Sequence, residues 1–219
     1  LTLQGIMPGE SELRVIFERL NQTQIKTLEI NDFDVNYSKM TIIAKGLTLA
    51  KLKSFKLRHC NQIDDQCMFL LSKTLSNSNS SLKSLDLSYN NLTPTSAKFL
   101  AQALPCTRIK NLYLYSNKLG DEGACLIANC LPNSQLTSLE MSFDKIGNAG
   151  AIKIAEVLPL SRLSLLSLMA NNIGDLGAQA IIDAIPRCNL STLFLIVNPI
   201  TSPYKKKLED ACKRKDAFY

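Results

Sequence analysis

The side chains best suited to chemistry in this sequence are a single histidine and seven cysteines. A catalytic triad or dyad that uses histidine would have to use His59, which is followed directly by Cys60. Phe55 and Leu57 stand two residues apart before this pair, as on the buried face of a strand. Beyond that strand, we expect His59 to leave the sheet and Cys60 to turn inward. The two side chains then diverge, and we predict no catalytic residues.

The cysteines lack the spacing of a metal site or of a disulfide framework. Cys125 and Cys130 are five residues apart, and no C-x-x-C pair occurs. The others fall where we expect core or loop positions: Cys60, Cys67, Cys106, Cys188 and Cys212. Nothing at the start pairs a basic segment with an apolar one and a cleavage site, so we expect no secretory leader. We therefore predict that the cysteines bind no metal and remain free thiols. Free thiols are typical of a reducing compartment, so we expect a cytoplasmic protein.

Glycine-rich turns are the remaining candidates for a cofactor site. Gly-x-x-Gly occurs at residues 120–123, 147–150 and 174–177. A phosphate-binding loop would carry a lysine, and none of the three turns does. Because the turns recur at a fixed interval, we interpret them as structural corners. The sequence therefore predicts no nucleotide and no other cofactor.

The charge is positive but unevenly spread. Of a net charge of +6, half lies in residues 205–219, which hold six basic and three acidic residues. We expect the rest of the chain to be close to balanced, without a stripe of basic residues that could follow a phosphate backbone. Apolar runs fall far short of the roughly 18 residues of a membrane-spanning helix. The composition thus predicts neither a nucleic-acid partner nor a membrane partner.

These residues are positioned by a repeat that runs through the chain. Each unit has an apolar residue at offset zero and further apolar residues at offsets three and five, so that it reads L-x-x-L-x-L-x-x-N-x-L. The units start at Ile25, Leu52, Leu82, Ile109, Leu136, Leu163 and Leu190. One step is longer than the others, because the polar loop 77–81 holds an insertion. A period of about 27 residues is typical of stacked supersecondary units.

Each unit combines a strand with a helix. Offsets three and five alternate as on the buried face of a strand, whereas offsets 15, 18 and 22 follow helical spacing. Asparagine at offset eight, such as Asn117, is expected to bond turn backbone and form a ladder, with Cys60 and Asp144 as substitutes. Phe33 marks an irregular first unit. We expect the Asp or Asn of each Gly-x-x-Gly turn to cap its own helix, as Thr93 does, and prolines one repeat apart to end the helices.

The phased repeat resembles the ribonuclease-inhibitor type of leucine-rich repeat, the class of ribonuclease inhibitor, NOD-like receptor sensing domains and RanGAP proteins. The resemblance covers nearly everything from Ile25 to Cys212. It implies an α/β solenoid with parallel strands on the concave face and helices on the convex face. The units are uniformly short, and only about seven are present, so the implied arc is shallow.

The repeat also predicts the organisation of the chain. Leu1 and Leu3 stand one repeat period before Leu28 and Ile30, so we expect the chain to begin inside an earlier repeat of a longer parent. We divide it into a partial repeat at 1–24, leucine-rich repeats at 25–200, and a closing helix with a basic tail at 201–219.

The concave face carries the candidate binding site, because its residues at offsets two, four, six and seven are not needed for the core. They are mostly polar in the first units and become aromatic and aliphatic toward the carboxyl end. Neighbouring strands would join them into one patch with a charged rim. The candidate partner-binding residues are Lys56, Arg58, His59, Asp86, Tyr89, Tyr113, Tyr115, Glu140, Phe143, Met169, Phe194 and Ile196. The alternative is that residues 217–219 or a neighbouring domain cover the patch.

We expect a non-enzymatic recognition module that binds a protein partner through this face and is monomeric when unbound. The resemblance allows an inhibitor whose partner is an enzyme, a sensor segment, or an effector that a pathogen secretes into the host cytosol. A GTPase activator of the RanGAP kind is the alternative. Such proteins are usually longer with an acidic tail, whereas this tail is basic.

Overall fold

The computed structural model describes residues 1–4, 8–20, 22–60, 62–77 and 81–214, and it is a single parallel sheet backed by helices. The strands are β1 Thr2–Gln4, β2 Thr27–Asn31, β3 Ser54–Arg58, β4 Ser84–Asp86, β5 Asn111–Tyr113, β6 Ser138–Glu140, β7 Leu165–Ser167 and β8 Thr192–Phe194. The helices are α1 Glu10–Leu20, α2 Tyr37–Leu49, α3 Asp65–Asn77, α4 Pro94–Ala103, α5 Gly120–Cys130, α6 Asn148–Val157, α7 Asp175–Ala184 and α8 Ser202–Arg214.

The strands lie side by side in chain order, from β1 to β8. Their register follows the repeat, since Leu85 pairs with Leu112 and Leu112 with Leu139. At the amino end Leu3 pairs with Ile30, where the repeat period puts it. This arrangement confirms the predicted solenoid with parallel strands and helices on the other side. Strand and helix alternate strictly because each unit can bury its apolar face only against its neighbours.

The predicted core positions form one continuous buried cluster along the stack. The side chains of Leu112 and Leu114, at offsets three and five, are fully buried. The helix stripe is buried too, as Ala124 and Ile127 illustrate. Leu208 and Cys212 of α8 extend the cluster past the last strand. Residues 215–219, including the segment expected as a cover, and the insertion residues 78–80 lie outside the described ranges.

The asparagine ladder is present as expected. Asn117 donates from Nδ2 to the carbonyl of Leu87 in the preceding repeat at 3.1 Å and to Leu114 in its own repeat at 2.7 Å. Its Oδ1 accepts the N–H of Leu92 at 3.1 Å. Asn90, Asn171 and Asn198 bond in the same way. Each amide therefore ties two consecutive repeats together.

The predicted assignment of the helix caps is wrong for the Gly-x-x-Gly turns, although Thr93 caps α4 as expected. The N-cap residues of α5, α6 and α7 make no side-chain cap bond. Instead, Asp121 accepts the N–H groups of Gly147 and Gly150, at the start of the next helix, at 2.7 and 2.8 Å. A Cβ at Gly150 would lie 2.8 Å from Asp121 Oδ1, so glycine allows this approach. The polar residue caps the following repeat because stacking brings it there.

Candidate functional site

The candidate site lies on the face of the sheet away from the helices, which we call the concave face. Its residues alternate with the buried leucines along each strand, so Tyr113 and Tyr115 flank Leu114. The offset-seven residue, which follows each strand, has a positive φ between 50° and 62°. These residues are Asp32, His59, Tyr89, Ser116, Phe143, Ala170 and Val197. The left-handed turn was not predicted, since none of them is glycine or asparagine, the usual signals.

Four rings form a continuous row where the strands end, and we call it the aromatic row: His59, Tyr89, Tyr115 and Phe143. The imidazole of His59 stacks on Tyr89 with the ring centroids 4.2 Å apart and an interplanar angle of 14°. The next two steps, through Tyr115 to Phe143, are 4.9 and 5.0 Å. Burial raises the pKa of the Tyr115 phenol, with a further contribution from Tyr89. All four rings are candidate residues, and the structure brings them together.

Further apolar candidates continue the aromatic row toward the last strand. Phe143 and Ile196 each expose 49% of their surface, and Phe194 exposes 36%. Val197, which the sequence did not single out as a candidate, is 72% exposed. Met169 and Tyr113 are half-buried. A shallow depression of about 500 Å³ lies beside Phe143, lined also by Lys145, Ala170, Asn171 and Asn172. We call the apolar side chains of Phe143, Met169, Phe194, Ile196 and Val197 the apolar end of the concave face.

The charged candidates at the other end pair with one another. Arg58 donates from Nε to Asp86 Oδ2 at 2.7 Å and bonds the same oxygen through Nη2. Glu29 lies 3.4 Å from Lys56 Nζ and 3.8 Å from Arg58 Nη1. A hydrogen bond from Asn31, helped by the charge of Lys56, lowers the pKa of Glu29, and Asp86 raises the pKa of Arg58. Asp86 is only 2% exposed. The two cations at this end of the face are therefore balanced by two carboxylates.

Glu140, in the middle of the concave face, is held by serines. Its carboxylate accepts the N–H of Ser142 at 3.0 Å and also bonds the Ser142 hydroxyl. Ser142 in turn bonds Ser167 at 2.9 Å. No lysine or arginine among the described residues forms an ion pair with Glu140. The carboxylate is therefore an anionic group without a described cationic partner beside the aromatic row. Sequence reasoning missed the two serines, because short hydroxyl residues at offsets four and six carry no special signal.

The histidine and cysteine geometry agrees with the prediction that these residues form no pair. His59 is exposed in the aromatic row, whereas Cys60 is fully buried with Sγ directed at the carbonyl of Arg58, 3.2 Å away. Burial raises the pKa of the Cys60 and Cys130 thiols to about 12 and that of Cys67 to about 11. Within the described ranges, no group of three or more potential metal ligands occurs.

Outside the tail the chain is close to balanced in sum, as expected, because residues 1–204 hold nineteen basic and sixteen acidic residues, but these charges are unevenly distributed. Residues 35–120 hold twelve lysines and arginines but only three aspartates. Three of these lysines, together with an earlier one, stand at offset one of four consecutive repeats, and we call them the lysine row: Lys26, Lys53, Lys83 and Lys110. They lie at the amino ends of the strands, whereas the aromatic row lies beyond the carboxyl ends. Their steps equal those of the repeat, including the longer one, so the signal was available in the sequence.

Comparisons with known proteins agree with the repeat architecture. A family model described as Leucine Rich repeat matches residues 78–101, 133–155 and 163–181. No curated protein matches the sequence. In total, 86 chains of solved structures are similar to this one. Within the described ranges, no helix combines the length and the apolar character needed to cross a membrane.

Three solved structures illustrate the likeness. A chain from the yeast Rad7 and Elc1 complex has a TM-score of 0.60 and 18% identity, over 91% of this chain and 57% of that one. An internalin, InlF from Listeria monocytogenes, has a TM-score of 0.55 and 19% identity, over 90% of this chain and 55% of that one. The actin-binding site 2 of leiomodin-1 has a TM-score of 0.52 and 13% identity, over 81% of this chain and 88% of that one.

The present chain thus spans little more than half the length of two of these three neighbours. At this level of identity the likeness concerns the fold. Together with the phased repeat, the parallel register and the asparagine ladder, it identifies the fold as a leucine-rich-repeat solenoid.

Proposed function

We propose that this chain is a non-enzymatic recognition module that binds a protein partner through its concave face. The observation that carries the proposal is the exposed apolar end of that face. The scaffold is complete without these side chains, because the leucines at offsets three and five already form the buried core. A contiguous apolar surface with a polar surround is the usual composition of an interface centre.

Two unfavourable features of Val197, which follows the last strand, support a binding role. Val197 leaves 72% of its surface in water, and its φ of 61° is a conformation that β-branched residues rarely adopt. The turn itself recurs in every repeat, but an exposed β-branched side chain at this position adds nothing to the buried core. Backbone strain and exposed apolar surface found together are typical of binding sites, where a partner supplies the compensating contacts.

The aromatic row supplies the anchors in this proposal. Tyrosine and phenylalanine give large contact areas with few rotatable bonds, and buried aromatic side chains dominate many interfaces. Mutual contacts between tilted rings hold Tyr89, Tyr115 and Phe143 in place before a partner arrives. Such preorganisation lowers the entropy lost on binding. Orientation and specificity are then set by the charged side chains, namely Lys56, Arg58 and Asp86 at the polar end and Glu140 in the middle of the face.

The ribonuclease-inhibitor-like subtype is part of the proposal, with occlusion of an enzyme partner as its mode of action. The repeat length and the helix in each unit support it. Two structural neighbours come from proteins with protein partners: one is an actin-binding site of leiomodin-1, and the other belongs to the complex of Rad7 and Elc1. These likenesses support the use of the fold for protein binding.

The test replaces two large, exposed apolar side chains by aspartate, one on each face of the protein. Phe194→Asp changes the concave face, whereas Leu176→Asp changes α7, where Leu176 is 71% exposed. A partner is captured from lysate with the whole chain and identified, and its affinity for each variant is then measured by calorimetry. Circular dichroism checks that the variants are folded.

We expect Phe194→Asp to weaken binding by at least about tenfold, because an aromatic anchor commonly contributes about 2 kcal/mol or more. Leu176→Asp should leave the affinity within about twofold. The reverse pattern would place recognition on the helices and refute the proposal. Unchanged binding by both variants would also refute it.

A further inference from the structure

The lysine row is a continuous feature of the stack rather than a coincidence of composition. The N–H of Lys53 donates to the carbonyl of Lys26 at 2.7 Å, Lys83 donates to Lys53 at 2.8 Å, and Lys110 donates to Lys83 at 2.8 Å. The same backbone ladder continues through Thr137, Ser164 and Ser191. Cations therefore occupy four consecutive rungs, and neutral hydroxyl residues occupy the next three.

The cations of this row are not neutralised by the described part of the protein. None of the four lysines takes part in an ion pair with a described carboxylate. Lys26, Lys53 and Lys110 are exposed, and Lys83 is half-buried. The three aspartates of residues 35–120 do not help, because Asp86 is paired with Arg58, and Asp64 and Asp65 lie at the start of α3. Lys51 and Arg108, two residues before lysines of the row, are exposed and add to the field.

Like charges on neighbouring strands repel one another, since strands lie only about 4.8 Å apart. Four such residues in succession are unfavourable for the free protein unless an anion lies over them. A row of this length spans about 15 Å, which corresponds to about ten residues of an α-helix. Successive turns of a helix are about 5.4 Å apart, close to the rung spacing, and flexible lysine stems absorb the difference.

We propose that the lysine row binds an acidic segment of a protein partner, with carboxylates on one face of a helix meeting successive lysines. This inference rests on the proposed function, because the same partner would place its apolar surface on the apolar end of the concave face. The two features occupy different rungs, since the cations end at Lys110 and the exposed aliphatic side chains begin beyond Phe143. Their separation would fix the direction in which the partner lies.

The placement of the rings favours an acidic protein segment over nucleic acid. Single-stranded nucleic acids bind where aromatic faces accept bases beside a basic track. Here the aromatic row lies at the opposite ends of the strands, and its rings contact one another in sequence, with His59 stacked on Tyr89. A lipid surface would favour a broad basic field, whereas these cations form a single line of lysines flanked by Lys51 and Arg108.

The test uses a synthetic helical peptide with glutamates at i, i+4, i+7 and i+11, and a second peptide in which glutamine replaces every glutamate. Binding to the whole chain is measured by fluorescence anisotropy at about 20 and about 150 mM NaCl. The row variant carries Lys26→Gln, Lys53→Gln, Lys83→Gln and Lys110→Gln. The matched control carries Lys45→Gln, Lys73→Gln, Lys98→Gln and Lys205→Gln, which changes the net charge equally at exposed helix positions.

We expect the glutamate peptide to bind, the glutamine peptide not to bind, and the row variant to lose at least about tenfold in affinity. The control variant should stay within about twofold. Equal losses in both variants would mean that net charge alone attracts the peptide, and would overturn the proposal. Tighter binding of an oligothymidylate or of phosphatidylserine vesicles through the same four lysines would overturn it too.

The peptide assay separates this inference from the proposed function, because it requires no natural partner. If Phe194→Asp leaves partner binding intact while the row variant abolishes peptide binding, the concave-face proposal fails and the lysine row stands. The converse result removes the lysine row and leaves the concave face.

Discussion

Asp144 stands at the ladder position that asparagine fills in neighbouring repeats, and we predict that Asp144→Asn stabilises the protein increasingly as the pH rises. Asp144 is fully buried. Its Oδ1 accepts the N–H of Asn117 at 3.1 Å, but Oδ2 has no hydrogen-bond partner among the described residues. The equivalent atom of Asn117 is a nitrogen that donates to two carbonyls. An ionised carboxylate cannot donate there, whereas a protonated one can.

The magnitude follows from the pKa of this carboxyl group. Burial, and secondarily the charge of Glu140, raises the pKa of Asp144 from 3.8 to about 8. Below about pH 4 the group is protonated in both states and carries no penalty. Between about pH 4 and 8 the unfolded chain ionises while the folded chain does not, so stability falls as the pH rises. At about 1.4 kcal/mol per pKa unit, the loss is about 4–6 kcal/mol by pH 8, and it is constant above that.

Urea unfolding of the wild type and of Asp144→Asn at several pH values between about 4 and 9 measures this effect, because urea is uncharged. The difference in unfolding free energy should grow with pH by about 4–6 kcal/mol. Asp86→Asn is the matched control: it removes a buried carboxylate that is paired with Arg58, and it should destabilise the protein by about 1–3 kcal/mol. A pH-independent difference for Asp144→Asn would show that Asp144 is ionised in the folded protein and refute the reasoning.

Three further predictions concern the stack, the strained turns and the thiols. Asp121→Ala should lower the unfolding free energy by about 1–2 kcal/mol because it uncaps the next helix, whereas the exposed neighbour change Glu122→Ala should cost less than about 0.5 kcal/mol in the same urea assay. Val197→Gly should raise stability by about 1 kcal/mol by relieving the positive φ, and it should weaken partner binding; a loss of stability would contradict the assigned strain. In mass spectrometry of the alkylated native protein, exposed Cys106 should react well before buried Cys130, whose thiol has a pKa of about 12, and equal rates would contradict the burial.

The site could be predicted only in part from the sequence. The positions of Tyr115 and Phe194 on one face followed from strand alternation, and that of Phe143 from its place beyond the end of its strand. Their mutual ring contacts did not follow, because these depend on side-chain direction after each left-handed turn. The lysine row was present as a periodic signal, but it was hidden when charges were summed over the chain rather than sorted by offset.

The fold itself was determined by the sequence to an unusual depth, because one pattern is repeated. Leu112, Leu139 and Leu166 could be assigned to neighbouring strands since a unit of about 27 residues cannot bury its apolar face alone, and stacking in register is the arrangement that buries every copy. The apolar period therefore carries both the local structure and the way the units assemble.

Only the tertiary structure decided which polar groups meet between repeats. The cap from Asp121 to the next helix and the pair between Arg58 and Asp86 join residues that are 26 to 29 positions apart. Apolar burial depends on area and tolerates small shifts, whereas a hydrogen bond depends on distance and angle within a few tenths of an ångström. The sequence period therefore predicts apolar burial well. The hydrogen bonds between repeats depend instead on the exact displacement between stacked units.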